Sequence, residues 1–172
     1  MKRAALINDL SGVGRCSLSV ALPIVSACGH ECAVLPTALL SNHTGFENYT
    51  FFDFTEHMRG FIDCWEQLGI SFNMIYSGFL GSGTQADITL ELIERLGKNA
   101  VRLVDPVLGD NGRLYTNFDM EMVKEMRHLI KKADVVTPNM TELFYLLDKP
   151  YKADNTDEEL KEYLRLLSDK GP

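Results

Sequence analysis

The chain has 172 residues, which is enough for one domain with a sizeable hydrophobic core. Hydrophobic residues make up 45% and charged residues 24%, proportions that are typical of a globular protein and exclude a disordered or low-complexity chain. The formal net charge is −7 and the 17 Lys and Arg residues are scattered, so we expect no nucleic-acid partner. No apolar run approaches the roughly 20 residues that a membrane-spanning helix needs, so we expect no membrane partner.

Short apolar runs alternate along the chain with longer helical patterns. The predicted strands lie at residues 3–7, 31–36, 74–77, 101–104 and 135–136. The predicted helices lie at residues 16–28, 55–68, 84–96, 119–132 and 156–167. Apolar strands that are separated by helices predict a doubly wound α/β fold, in which a mostly parallel sheet carries helices on both faces. The chain is therefore interpreted as a single domain spanning residues 1–172.

Polar residues and glycines follow the predicted strands at one edge of the predicted sheet. They are Asn8–Asp9, Thr37, Ser77–Gly78, Asp105–Pro106 and Thr137–Pro138–Asn139. Ligands of doubly wound sheets bind at the carboxyl ends of the strands, so we expect the functional site at this edge.

A glycine loop, Ser-Gly-Val-Gly-Arg-Cys at residues 11–16, follows the first strand as a dinucleotide-binding loop would. Ser17 stands where the third glycine of that motif belongs, and Pro36–Thr37 rather than an acidic residue ends the second strand. The favoured interpretation is a tight turn beside a small ligand. Cys28 and Cys32 lack a second ligand pair, so the cysteines are interpreted as reduced thiols of a cytoplasmic protein.

Four oxygen donors are predicted to lie on one rim. Asp105 and Asp110 flank a loop that follows a strand, and paired carboxylates suit Mg²⁺ with a nucleotide phosphate, although both could simply cap or turn the loop. Asn139 and Glu142 have the spacing of a helix capping box, which needs no ligand to explain it. The same spacing would also put an amide oxygen and a carboxylate beside the next strand.

The loop Ser-Asn-His-Thr-Gly at residues 41–45 holds five consecutive turn-forming or hydrogen-bonding residues. Exposure to solvent would explain a single histidine, His43, in such a loop. So many short donors and acceptors would also suit a small polar heterocycle.

Four motifs then occur in a recognisable order. They are Ser-Asn-His-Thr-Gly at 41–45, Ser-Gly-Phe-Leu-Gly-Ser at 77–82, Asp-Pro-Val-Leu-Gly-Asp at 105–110, and Asp-Val-Val-Thr-Pro-Asn at 134–139 followed by Glu142. With these motifs the whole chain resembles the amino-terminal two-thirds of the vitamin B6 kinases (pyridoxal, pyridoxine and pyridoxamine kinases) of the ribokinase superfamily. The resemblance implies a ribokinase-like fold truncated on its C-terminal side, a small-molecule B6 vitamer as partner, and a homodimer.

The resemblance also implies roles for particular residues. Those implied to bind the vitamer are Asp9, His43, Thr44 and Phe79. Those implied to bind ATP and its cations are Asp105, Asp110, Tyr115, Thr137, Asn139 and Glu142. In this assignment Thr44 contacts the ring, Asp9 replaces a usual serine contact, Asn139 and Glu142 organise Mg²⁺ through water, and Thr137 binds a monovalent cation (K⁺ or Na⁺).

The implied reaction is ATP-dependent phosphorylation of the 5′-hydroxymethyl group of the vitamer. Vitamin B6 kinases carry a Gly-x-Gly-Asp sequence whose amides form an anion hole and whose Asp is the base, and no such sequence occurs in residues 1–172. The base and most of the adenine pocket are therefore expected beyond Pro172, and we expect the 172-residue chain to be inactive alone. Two alternatives stay open: a hydroxymethylpyrimidine (phosphate) kinase of thiamine biosynthesis, and a non-catalytic vitamer-binding fragment.

Overall fold

In the computed structural model, which describes residues 1–171, strands and helices alternate along most of the chain. The strands are β1 (Arg3–Ser11), β2 (Glu31–Leu40), β3 (Phe51–Asp53), β4 (Met74–Ser77), β5 (Val101–Val104), β6 (Gly109–Asp110), β7 (Arg113–Leu114) and β8 (Val135–Val136). The helices are α1 (Leu18–Ala27), α2 (Thr55–Gln67), α3 (Gly83–Leu96), α4 (Met120–Ile130), α5 (Met140–Leu147) and α6 (Asp157–Ser168). Within these described residues, no helix is long and apolar enough to cross a membrane.

Six strands form one sheet in the order β3-β2-β1-β4-β5-β8. All neighbours pair in parallel except β3, which runs antiparallel to β2. The predicted doubly wound, mostly parallel α/β fold is confirmed. Because β1 lies in the middle and the chain winds away from it in both directions, a crevice is expected at the carboxyl end of β1.

The two faces of the sheet carry separate hydrophobic clusters. On β1, Ala5 and Ile7 point into a large core built with α2, α3, α4 and α5, while Ala4 and Leu6 point into a small cluster with Leu18 of α1. All five side chains are at most 2% exposed, as expected for a central parallel strand that is covered on both faces. Burial of β1 on both sides therefore holds its polar carboxyl end in a fixed position.

Several boundaries differ from the sequence-based expectation. The chain continues as β1 through Asn8 and Asp9 to Ser11, because pairing with β2 resumes after a register shift between Asn8 and Leu10. Likewise β2 extends to Leu40, so Thr37 lies inside a strand and not at its end. The short edge strand β3 was not expected.

Some apolar residues are exposed against expectation. Leu68 and Leu164 lie on the apolar stripes of the helices predicted at residues 55–68 and 156–167, but they are 68% and 51% exposed. Leu68 is the C-cap residue at the end of α2, and Leu164 lies on the solvent side of α6. Strand β5 is neither fully buried nor fully apolar. Val101 is 54% exposed, and the guanidinium of Arg102 pairs with the carboxylate of Asp134 at 2.6 Å. The sheet is therefore less buried near β5 and β8 than the apolar pattern indicates.

The β6–β7 hairpin was also not expected, because each of its strands has only two residues. Its turn is Asn111–Gly112, and both residues have positive φ angles of 51° and 78°. Asn-Gly is the preferred pair for such a two-residue turn, because both residues tolerate positive φ. The hairpin shapes the loop that leads from Asp110 to Tyr115.

Gly109 is required where β6 begins. A Cβ at this position would overlap the backbone oxygen of Arg113 and lie 2.8 Å from the Cα of Leu114, and backbone atoms of a paired strand cannot rotate away. We expect Gly109→Ala to lower the free energy of unfolding by about 2–3 kcal/mol, measured by urea denaturation. The control is Gly60→Ala in α2, where no atom lies within 4 Å of the added Cβ and a gain of up to about 1 kcal/mol is expected. Equal stability of the two variants would contradict this account of the hairpin.

Candidate active site

A cleft of about 910 Å³ opens at the carboxyl end of β1, where the crevice is expected. Six of the residues predicted from the sequence line it together, namely Asp9, His43, Thr44, Phe79, Asp105 and Tyr115. Four others lie outside its lining, namely Asp110, Thr137, Asn139 and Glu142. The predicted vitamer-binding residues therefore line one cleft. Of the five predicted cation ligands, Asp105 lines this cleft and the other four do not.

His43 is held between two glycines and is not a freely exposed loop residue. Its Nδ1 accepts a hydrogen bond from the backbone N–H of Gly45 at 3.1 Å, and its ring packs against that of Phe46 with centroids 4.7 Å apart. A Cβ at Gly14 would lie 2.5 Å from the imidazole, and one at Gly45 would lie 2.8 Å from it. Because Nδ1 accepts, Nε2 is the N–H donor of the neutral ring. Exposed Thr44 follows directly at the cleft wall.

Phe79 forms one wall of the cleft and is fixed through its backbone. Its N–H donates to Oδ1 of Asn8, and its carbonyl accepts from Oγ1 of Thr37, both at 2.9 Å. Its ring stacks on that of Phe118, with centroids 5.7 Å apart. The aromatic surface that Phe79 offers to the cleft therefore has a fixed position.

A buried glutamine that the sequence analysis missed supports the same wall. Gln85 is fully buried, and its Nε2 donates to the carbonyl of Thr37 and to Oγ1 of Thr55, each at 2.9 Å. Its Oε1 accepts from the N–H of Gly81 at 2.8 Å. Gln85 thus ties β2, the start of α2 and the loop at residues 78–82 together. In the sequence it resembles any polar residue in the first turn of a helix, so no local pattern could have identified it.

Three carboxylates act on one phenol at the far side of the cleft. Burial raises the pKa of Tyr115, and the charges of Glu142, Asp110 and Asp105 raise it further. Asp105 is itself half-buried, and this burial raises its pKa above the usual range. Glu142, Asp110 and Asp105, which were predicted to share a rim, therefore all lie within electrostatic reach of the same phenol.

Asn139 and Glu142 form the predicted capping box of α5. The Oδ1 of Asn139 accepts from the N–H of Glu142 at 3.0 Å, and Oε2 of Glu142 accepts from the N–H of Asn139 at 2.8 Å. Both side chains also brace the preceding loop: Oε1 of Glu142 accepts from the N–H of Leu108, and Nδ2 of Asn139 donates to the carbonyl of Gly109. Burial raises the pKa of Glu142 to about 7, although the backbone hydrogen bonds act in the opposite direction.

The predicted cation ligands do not form a preassembled metal site. Among residues 1–171, no group of three or more His, Cys, Asp or Glu side chains is arranged to hold a metal ion. Both carboxylate oxygens of Asp110 accept from Asn111, and Thr137 lines a groove beside α1 that adjoins the cleft. Asp105 faces the cleft, and its carboxylate accepts no hydrogen bond from the described residues.

Comparison with known proteins identifies similar sequences and structures. The profile of the family described as phosphomethylpyrimidine kinase matches residues 32–172. The pyridoxal kinase PdxY of Corynebacterium diphtheriae is 29% identical over 167 residues, covering 92% of this chain and 57% of that protein. The putative pyridoxal kinase BUD17 of Saccharomyces cerevisiae is 30% identical over 155 residues, covering 84% of this chain and 46% of that protein. The chain thus spans about half the length of these curated relatives.

Solved structures agree with this result. A putative phosphomethylpyrimidine kinase from Bacteroides thetaiotaomicron is 60% identical and superposes with a TM-score of 0.97 over 99% of this chain and 60% of its own. A second crystal form of that protein, with pyridoxal, gives a TM-score of 0.95. The pyridoxal kinase from Lactobacillus plantarum is 34% identical, with a TM-score of 0.90 over the same shares.

Proposed function

The chain belongs to the phosphomethylpyrimidine kinase family, and from this premise we propose that it carries the substrate site of an ATP-dependent kinase for the 5′-hydroxymethyl group of a vitamin B6 vitamer. The resemblance to vitamin B6 kinases that the four motifs indicate is confirmed by the pyridoxal kinases among its relatives. The observation that carries the proposal is the Bacteroides protein with pyridoxal, which is 60% identical over nearly the whole chain. The cleft at the end of β1 has the size and lining that a small heterocycle needs.

The residues of the cleft would bind and orient the vitamer. Phe79 offers a fixed aromatic face, the loop of His43 and Thr44 offers hydrogen-bonding groups, and Asp9 offers a buried carboxylate. ATP with Mg²⁺ would supply the phosphoryl group, and Asp105 is the carboxylate that would face the metal-bound phosphates. Phosphoryl transfer depends chiefly on positioning and charge stabilisation, so a preformed cleft is a large part of the required machinery.

Other parts of the assignment stay predictions. Asp110, Tyr115, Asn139 and Glu142 are proposed to shape the phosphate side of the cleft, and Thr137 to bind a monovalent cation. A homodimer and a cytoplasmic location are likewise predicted from the resemblance. We also propose that residues 1–172 contain no proton acceptor for the substrate hydroxyl, since they contain no Gly-x-Gly-Asp sequence.

Titration calorimetry with the 172-residue chain tests the proposed site. We expect saturable binding of pyridoxal, together with a negligible rate of ATP-dependent pyridoxal phosphate formation. Thr44→Ala should weaken pyridoxal binding about fivefold, the effect of losing one hydrogen bond, whereas Asp110→Ala should change it less than twofold because Asp110 lies outside the cleft lining. Absence of binding, or equal effects of the two substitutions, would contradict the site. Turnover at an ordinary enzymatic rate would contradict the proposed lack of a base.

A hydroxymethylpyrimidine (phosphate) kinase is the second candidate, because the matching family and the Bacteroides relative are described as phosphomethylpyrimidine kinases. Competition between pyridoxal and 4-amino-5-hydroxymethyl-2-methylpyrimidine for the chain distinguishes the two. Displacement of pyridoxal by equimolar pyrimidine would favour the second candidate.

A further inference from the structure

We propose that Thr141, in the first turn of α5, is a positioning residue for the far wall of the cleft, which it holds through the turn of the β6–β7 hairpin. This inference rests on the proposed function, because it concerns binding in the same cleft. Thr141 is 1% exposed and is not among the residues that line the cleft, so it does not contact a ligand there itself. An effect of Thr141 on binding is therefore expected to pass through the hairpin.

The hairpin needs support from the rest of the chain. Each of its strands has only two residues, and a hairpin of two short strands is marginally stable at best on its own. The side chains of Asn139 and Glu142 support the backbone where the hairpin begins, at Gly109 and Leu108. These contacts precede the turn, so the turn and the strand that follows it require a support of their own.

The turn is held by two side chains from outside the hairpin. The backbone N–H of Gly112 donates to Oγ1 of Thr141 at 2.9 Å, and in the described part of the chain no other side chain outside the hairpin forms a hydrogen bond with the turn. A Cβ at Gly112 would lie 2.7 Å from the ring of Tyr151, so this ring packs directly against the turn. The Tyr151 ring is itself supported by that of Phe144 in α5, with centroids 5.9 Å apart.

The segment that leaves the hairpin forms the far wall of the cleft. Tyr115 and each residue after it up to Phe118 line the cleft. The N–H of Tyr115 donates to the carbonyl of Leu108 at 3.0 Å, and the ring of Phe118 stacks on that of Phe79. Because only two residues separate Gly112 from Tyr115, a displacement of the turn is expected to move this wall.

Two substitutions of Thr141 in the 172-residue chain separate its oxygen from its shape. Valine has nearly the same shape but leaves the N–H of Gly112 unpaired, whereas serine keeps the acceptor. In Thr141→Val we expect the amide of Tyr115 to exchange its hydrogen at least about tenfold faster, measured by NMR, because the hairpin opens more often. The dissociation constant of pyridoxal, measured by calorimetry, should rise about threefold to fivefold. In Thr141→Ser both quantities should stay within about twofold of the unaltered chain.

The matched control is Thr89→Val in α3, which makes the same change of side chain. Thr89 is fully buried, but its hydroxyl donates only to a carbonyl of its own helix. This variant should leave the exchange of Tyr115 and the affinity for pyridoxal within about twofold. Exchange at Ile7, in the centre of β1, reports opening of the whole domain and should change no more in Thr141→Val than in Thr89→Val.

Several results would overturn the inference and leave the proposed function intact. They are an unchanged affinity for pyridoxal in Thr141→Val, equal weakening by valine and serine, and exchange at Ile7 that accelerates as much as exchange at Tyr115. If Thr141→Val does not fold, Tyr151→Ala removes the other contact with Gly112 from a surface position and should change exchange and affinity in the same direction. No binding of pyridoxal to the unaltered chain would overturn both the inference and the proposed function.

Discussion

Replacement of Gln85 by leucine is expected to lower the free energy of unfolding by about 3 kcal/mol. The side chain is fully buried and makes three hydrogen bonds, to the carbonyl of Thr37, Oγ1 of Thr55 and the N–H of Gly81. Leucine fills nearly the same volume but leaves these groups unpaired, and each unpaired buried group costs roughly 1–3 kcal/mol, part of which relaxation recovers. Urea denaturation followed by circular dichroism measures the loss. It would be a large fraction of the 5–15 kcal/mol typical of a domain.

The matched control for Gln85 is Thr89→Val on the same helix. Thr89 is equally buried, but its hydroxyl donates only to the carbonyl of Gln85 one turn earlier in α3. We expect a loss of about 1 kcal/mol or less, since no group outside the helix loses a partner. Equal losses in the two variants would show that Gln85 contributes only as a buried helical residue. Pyridoxal binding should also weaken in Gln85→Leu and not in Thr89→Val, because Gln85 holds the loop that carries Phe79.

Stability is expected to fall as the pH rises from about 5 to 8, and Glu142 is the principal cause. Its pKa is about 7 in the folded protein against 4.5 in a model peptide, so the folded state binds the proton more tightly than the unfolded state. The resulting stabilisation is complete below pH 4.5 and is lost as the pH rises through 7. A shift of this size corresponds to roughly 3 kcal/mol. Burial raises the pKa of Asp105 too, so its contribution has the same sign.

Glu142→Gln tests the assignment of this pH dependence. The variant cannot ionise, so its free energy of unfolding should vary much less between pH 5 and 8 than that of the unaltered chain. Glu158→Gln, on an exposed turn of α6, should leave the slope unchanged. A slope in Glu142→Gln as steep as in the unaltered chain would mean that other groups cause the effect.

The alternation of apolar runs and helical patterns was sufficient to predict the parallel sheet. Strands β4, β5 and β8 have the predicted bounds, because short, largely apolar runs between helices have few alternative structures. The pattern failed where hydrogen-bond pairing between strands, and not composition, decides where a strand ends. Asn8 and Asp9 are polar and were taken as the end of a strand, but pairing with β2 extends β1 to Ser11. Leu68 lies on the apolar stripe of the predicted helix, but it is exposed at the end of α2.

Local sequence by itself determined the order of elements, the capping box of Asn139 and Glu142, and the motifs that place the chain near the vitamin B6 kinases. Only the tertiary structure decided which of the motif residues share a cleft, because that depends on which strands become neighbours. It brings Asp9, His43 and Phe79 together from three separate segments and places Thr137 in another groove. It also fixes the side-chain amide of Asn8, whose Oδ1 accepts from the N–H groups of Asp9 and Phe79, since the orientation of an amide depends on partners that can be distant in the sequence.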